Sequence, residues 1–263
     1  MRVSIVCVLL AFPVLAQFAP DQMMRPYAYT NDAGKVLTCR LHSPRFPEAG
    51  KKYPLILFLH GSNECGTNNL SQIKMGLPKL LSSLLLQQEQ VMVLAPQCSR
   101  ENWWVKNVSM SADHALAKNI APSLAAVLEL CQHLVETKQA DPNRLYITGL
   151  SLGGFGTWDA IQRYPKMFAA AVPICAGGDT HQVRAIKSMP IWVFHARDDK
   201  NVPVDCSRRM VKKLKAAGAK KVNYTEYESG GHNCWDRAYS DKQMIEWLLQ
   251  QTNKQEPWWK FWK

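Results

Sequence analysis

The sequence predicts an α/β fold: a doubly wound, mostly parallel sheet with helices on both faces, preceded by an antiparallel N-terminal hairpin. Three observations predict it. Strand-like and helix-like stretches alternate from residue 54 to residue 250, the pattern of repeated strand–helix–strand crossovers. The run at 53–59 is continuously apolar, as suits a strand covered on both faces, and 91–95 and 169–174 read the same way. Finally, Gly149-Leu150-Ser151-Leu152-Gly153 joins a short apolar run to a helical stretch. Such a corner lifts a serine hydroxyl clear of a strand's C-terminal end. A chain of 263 residues, 47% of them hydrophobic, suits a single domain with a sizeable core. That domain is placed at 26–252.

Taken in order, residues 1–16 read as a signal peptide. Arg2 precedes an apolar run, and Val14-Leu15-Ala16 is a small-x-small cleavage signal. The run is too short to span a bilayer comfortably. The chain is therefore expected to be secreted or periplasmic, cut near Ala16 and without stable membrane insertion afterwards. Residues 17–25 form a short tail. Alternating residues on both sides of Asn31-Asp32-Ala33-Gly34 predict a β-hairpin, and 43–52 a loop. The strand at 53–59 follows, then a helical pattern over 70–88 broken by Pro78 and a strand at 91–95. A long helical pattern spans 112–138, with Pro122 expected as a kink. The nucleophile strand at 145–148 feeds a helix over 155–164. Strands at 169–174, 190–194 and 221–227 alternate with helices over 205–217 and 236–250. Residues 253–263 form an aromatic, basic tail, expected to pack back onto the domain.

The net charge is +11. Much of it lies in Lys212, Lys213, Lys215, Lys220 and Lys221, which read as a solvated helix face and the turn after it. No nucleic-acid-binding motif accompanies it, and no feature indicates an oligomeric state. Of the eight cysteines, Cys7 leaves with the signal peptide. The odd number that remains leaves at least one thiol, and no C-x-x-C pair suggests zinc. Asn69, Asn107 and Asn223 sit in glycosylation acceptor patterns.

Ligands of such sheets bind beyond the carboxyl ends of the strands, so the residues there carry the chemistry. After the first long strand comes His60-Gly61-Ser62-Asn63-Glu64-Cys65-Gly66. Its glycine-bearing loop can offer the Ser62 N–H, beside that of Leu152, to a developing oxyanion. His60 reads as the residue that holds this loop. After 190–194 comes His195-Ala196-Arg197-Asp198-Asp199. Asp199 is the carboxylate expected to orient a base, and Asp198 a loop cap. After 221–227, Gly230-Gly231 would let the next loop bring His232 over Ser151. The order Ser151, Asp199, His232 is that of a nucleophile–acid–base triad on this kind of sheet. His42, His114, His133 and His181 read as surface or packing residues. Trp103 and Trp104 should reach the site's edge, as a stacking surface for a sugar or aromatic ring or as a packed rim. This chemistry needs no metal and no organic cofactor.

Several stretches together resemble a known family. They are Leu59-His-Gly-Ser-Asn-Glu-Cys-Gly66, Ala95-Pro-Gln-Cys98 with Trp103-Trp104, and Gly149-Leu-Ser-Leu-Gly-Gly-Phe-Gly-Thr-Trp158. Tyr164-Pro165, Pro173-Ile-Cys-Ala-Gly-Gly-Asp179 and Gly231-His-Asn-Cys-Trp235 complete them. The chain is similar over residues 26–250 to α/β-hydrolases of the poly(hydroxybutyrate)-depolymerase-like and feruloyl-esterase-like kind. The branch is described as predicted peptidases with a prolyl-oligopeptidase-like catalytic domain. The resemblance implies a serine hydrolase acting through an acyl-enzyme. It departs at Cys65, where the family loop commonly has arginine. Cys65 and Cys98 follow adjacent strands, and Cys206 and Cys234 also lie in loops after adjacent strands. Disulfides and buried thiols both fit these positions. The leading expectation is a serine carboxylesterase acting on a small or polymer-linked ester. A serine peptidase of the same fold and a catalytically silent binding protein are the alternatives, and the lack of room for a gating domain favours the esterase.

Overall fold

A computed structural model describes residues 20–31, 34, 36–44, 46–109, 114–137 and 139–253. The signal peptide and most of the C-terminal tail read from the sequence lie outside these residues. The strands are β1 (Arg25–Thr30), β2 (Val36–His42), β3 (Tyr53–Leu59), β4 (Met92–Pro96), β5 (Ala140–Leu150), β6 (Ala170–Ile174), β7 (Ile191–Ala196) and β8 (Val222–Tyr227). The helices are α1 (Pro20–Met23), α2 (Leu77–Leu86), α3 (Pro122–Glu136), α4 (Leu152–Arg163), α5 (Asp205–Ala216), α6 (Trp235–Tyr239) and α7 (Lys242–Gln250).

All eight strands form one sheet in the order β1-β2-β4-β3-β5-β6-β7-β8. β1 and β2 pair antiparallel as the expected hairpin, and β2 attaches antiparallel to β4. From β4 to β8 every pairing is parallel. β3 is buried at every residue, and its side chains divide by the period of two. Leu55, Leu57 and Leu59 pack into one core with Leu124, Leu128, Phe155, Trp158 and Leu214 from α3, α4 and α5. Ile56 and Phe58 pack on the opposite face with Leu77, Leu80, Leu84 and Ile245 from α2 and α7. The middle of the sheet, β3, β4 and β6, is buried at every residue, which is why its central strands read as unbroken apolar runs. Truncating one of these leucines to alanine costs about 2–5 kcal/mol.

One helix differs from expectation, at a proline. The pattern at 112–138 is one helix only from Pro122, which starts α3 instead of kinking it. In the first turn the missing N–H is not needed by the helix, and the fixed φ favours the start. The pattern over 70–88 breaks at Pro78 as expected: Pro78 lies in the first turn of α2, and the residues before it form a separate short turn, Ser71–Ile73. The parallel register brings the C-terminal ends of β3, β5, β7 and β8 to the same edge of the sheet. No helix among the described residues is long and apolar enough to cross a membrane.

Candidate active site

Ser151 sits between β5 and α4 with φ 53° and ψ −119°, a backbone strained for any side chain. The corner holds it there. Its N–H donates to the Ile174 carbonyl at 3.0 Å, and its carbonyl accepts from the Phe155 N–H at 3.0 Å. A Cβ on Gly149 would run into the Gly153 backbone, and one on Gly153 into the Leu59 carbonyl. Strand and helix therefore approach as closely as they do only because both positions are glycine.

His232 reaches this serine from the loop after β8. The Ser151 hydroxyl donates to His232 Nε2 at 2.9 Å, and His232 Nδ1–H donates to Asp199 Oδ2 at 2.8 Å. This tautomer follows from the two partners, since a carboxylate only accepts. Gly230 and Gly231, with φ of 141° and 57°, make the turn that delivers the ring. Trp235 packs edge-on against it, with ring centres 5.3 Å apart.

Asp199 lies just past β7 and is buried. Oδ1 accepts the N–H groups of Asn201 and Val202 at 2.8 and 3.0 Å. Oδ2 faces a second imidazole, His195 Nε2, at 3.2 Å. Burial by itself would push this carboxyl's pKa up. The hydrogen bonds from His195, His232 and Val202 more than offset it and hold the group well below the usual carboxylate range. Asp199 is thus an anion over all ordinary pH. Its neighbour Asp198 accepts from the Gly231 and Gly230 N–H groups at 2.8 and 3.3 Å. The loop it caps is the one that carries His232.

His195 is the site residue that sequence reasoning passed over. It is fully buried, with Nδ1 2.8 Å from Ser207 Oγ and Nε2 also 3.0 Å from the Val202 carbonyl. Its signal was present, since it opens the His195-Ala196-Arg197-Asp198-Asp199 stretch, but nothing in the sequence says that a strand histidine turns toward the carboxylate that follows it.

On the other side of Ser151, Gly61 lies against Leu150, so the loop after β3 flanks the corner. Ser62 begins a short 3-10 turn, Ser62–Glu64, and Leu152 begins α4. N–H groups at such starts have no partner within the turn, and α4 adds the positive end of its dipole. His60 holds this loop as expected. Its Nδ1–H donates to the Gly61 carbonyl at 2.6 Å, and its Nε2 accepts from the Cys98 N–H at 3.1 Å. Burial pushes its pKa down to about 4, so it is neutral.

The two tryptophans separate. Trp103 is 40% exposed, but Trp104 has no exposure at all. Trp104 Nε1 donates to the His60 carbonyl at 3.0 Å, and its ring packs edge-on to the His60 ring. The expectation that Trp104 lines the site's edge is corrected: a ring enclosed on every side offers no face for stacking. His42, His114 and His133 do pack. His42 Nδ1–H donates to the Met23 carbonyl, and His114 and His133 lie against Phe155 and Tyr29.

Two clusters among the described residues have the spacing of metal ligands: His60, Cys65 and Cys98, and Cys175, His195 and Asp199. Their donors are already engaged. The His60 lone pair accepts from Cys98 N–H, and Asp199 is saturated by four donors, so neither set fits a resident metal. Seven buried cysteines carry thiols. Cys65 and Cys98 face each other at 3.5 Å between sulfurs, as their adjacent strands suggest. Cys234 meets Cys175 at 3.0 Å, rather than Cys206, which lies against Gly177 in the first turn of α5.

Comparison with known proteins gives the family and the fold. The family model described as phospholipase/carboxylesterase matches residues 46–247. A crystal structure described as a thermostable esterase is 40% identical with a TM-score of 0.78, over 88% of this chain and 63% of that one. Poly(3-hydroxyalkanoate) depolymerase C of Paucimonas lemoignei is 36% identical over 52 residues, 20% of this chain and 13% of that protein. A ferulic acid esterase shares the fold at 15% identity, with a TM-score of 0.63 over 86% of this chain and 98% of that one. This chain therefore spans less than two thirds of the length of the thermostable esterase and a small part of the depolymerase.

Proposed function

The chain belongs to the phospholipase/carboxylesterase family of α/β-hydrolases, and from that premise we propose that it is a serine carboxylesterase working through an acyl-enzyme. The observation that carries the proposal is the unbroken hydrogen-bonded chain from Ser151 through His232 to Asp199. Ser151 Oγ attacks the ester carbonyl carbon while His232 Nε2 takes its proton. Asp199 keeps Nδ1–H pointed away from the serine and stabilises the imidazolium that forms. The oxyanion of the tetrahedral intermediate is met by the N–H groups of Leu152 and Ser62. Collapse expels the alcohol, protonated by His232. Water, activated by the same histidine, then releases the acid and restores Ser151.

Trp103, exposed on the segment after β4, is the aromatic surface we assign to the substrate side. The substrate class is a small or polymer-linked carboxylic ester. The N-terminal leader supports export to the periplasm or the medium, with residues 26–252 as the catalytic domain. A fluorophosphonate probe should label the intact protein and fail to label Ser151→Ala, and an unlabelled intact protein would overturn the proposal. A series of p-nitrophenyl acyl esters, feruloyl esters and a peptide anilide then separates esterase from peptidase. Turnover confined to the anilide would sink the esterase reading.

A further inference from the structure

Cys175 and Cys234 take no part in the chemistry proposed above, yet they sit at its hinge. Cys175 follows β6 and is held by its own backbone: its N–H donates to the Phe194 carbonyl at 2.9 Å. Its φ of 51° is a conformation that non-glycine residues take up only where the surroundings impose it. The preceding residue, Ile174, receives the Ser151 N–H. The Cys175 thiol donates to the His232 carbonyl at 3.4 Å, so it already touches the loop bearing the base. Cys234 caps the start of α6, two residues beyond His232. The two sulfurs are 3.0 Å apart, 59 residues apart in sequence, and both residues are buried. The loop between β8 and Cys234 is exposed at Glu228, Ser229 and Gly230 and has two glycines with positive φ. That is where opening would admit a reagent.

We propose that Cys175 and Cys234 form a disulfide that fastens the His232 loop to the end of β6. The oxidant is a disulfide of the glutathione class. One protein thiolate attacks the glutathione disulfide and expels the first glutathione thiolate. The second protein thiolate then attacks the mixed disulfide and expels the other. Two protein S–H bonds are exchanged for one S–S bond, and one glutathione disulfide becomes two glutathiones. Burial raises the Cys175 thiol's pKa well above its ordinary value, which makes the closed pair sluggish and sends the exchange through the open loop. Once formed, the bridge restricts the unfolded chain across those 59 residues and limits how far the base can leave the serine.

The test uses the full chain and reads mass, so it stands whether or not the esterase reading does. The native protein is equilibrated with glutathione disulfide, alkylated under denaturing conditions and digested without reduction. A peptide pair joining Cys175 to Cys234, about 2 Da lighter than its two thiol peptides together, is the expected product. It should be absent from Cys175→Ser and Cys234→Ser. In a Cys65→Ser background, which removes the facing Cys65–Cys98 pair, the oxidised protein should melt about 5–10 °C above the same protein in dithiothreitol, and adding Cys234→Ser should abolish that gap. Alkylation of both cysteines after oxidation, or linkage of Cys234 to Cys206, would overturn the proposal. So would a gap that persists when Cys234→Ser is added to the Cys65→Ser background.

Discussion

The two walls of the site are built by different means. The wall of β3, β5 and the loop after β3 is held by close packing around glycines: Gly153 against the Leu59 carbonyl, Gly149 against the Gly153 backbone, and Gly61 against the Leu150 side chain. Its histidine, His60, is entirely buried. The wall formed by the loops after β7 and β8 is held by side chains instead. Asp198 grips Gly230 and Gly231, Asp199 grips two histidines, and His232 keeps 15% of its side chain in solvent. The first wall is fixed mainly by sterics, which tolerate no substitution, and its one titratable support, His60, is buried neutral. The second is fixed by hydrogen bonds to carboxylates, which can be weakened one at a time while the fold persists. The nucleophile belongs to the rigid wall and the base to the adjustable one.

The junction between the walls is the place to break this contrast first. Ser151→Ala should lower kcat for a p-nitrophenyl ester by at least about 10⁴-fold, with the urea-unfolding midpoint unchanged. Asp199→Asn should cost about 10³–10⁴-fold in kcat, because the amide favours the wrong His232 tautomer. KM should move little, and retained turnover would mean that the second wall needs no anion. In the rigid wall the loss should fall on folding. Gly153→Ala should destabilise the protein by about 3 kcal/mol or more, read from urea unfolding or from the loss of soluble protein.

Acid sharpens the comparison further. His60 is buried neutral with a folded pKa of about 4, below its unfolded value of about 6.5. The unfolded chain therefore takes up this proton first. Stability contributed by His60 is lost as pH falls from about 6.5 to about 4, on the order of 3 kcal/mol. Asp199 is depressed below the carboxylate range. Its contribution is present above about pH 4 and is lost only as pH falls further, through its folded pKa. Chemical denaturation at pH 7, 5 and 4 should show the first loss in the wild type and a flatter curve in His60→Gln. A curve of equal slope in both would remove His60 as its source. The smallest effect concerns His195. Gln can place an N–H near the position of Nε2, whereas Asn reaches only the position of Nδ1. His195→Gln should keep kcat within a few-fold, and His195→Asn should lose about ten-fold. The reverse order would show that the Ser207 contact, not the Asp199 contact, matters.

Much of the fold could be read from the chain because the doubly covered middle of the sheet leaves no polar face: β3 and β4 appear as unbroken apolar runs. Ser151, Asp199 and His232 were legible for a related reason. Each stands in a loop just past a strand, and the glycines around Ser151 and His232 mark where backbone must turn sharply. What stayed hidden depended on side-chain direction or on strand order. Trp104 turns inward under His60 while Trp103 turns out, and two adjacent tryptophans look alike in a sequence. His195 reads as one more residue at a strand's end until the carboxylate four positions later folds back over it. The pairing of Cys234 with Cys175 requires β6 to lie between β5 and β7, which no spacing reveals. Pro122 misled because the same ring that breaks a helix interior also starts a helix well.

The position of β8 at the edge of the sheet sets a schedule for the protein's making. Ribosomal synthesis delivers the serine first, its strained corner next, the aspartate some fifty residues later and the histidine last. Until β8 docks on β7, a nascent chain holds a complete nucleophile corner with no base to activate it. The enzyme we propose therefore gains its base only when β8, at one edge of the sheet, docks on β7.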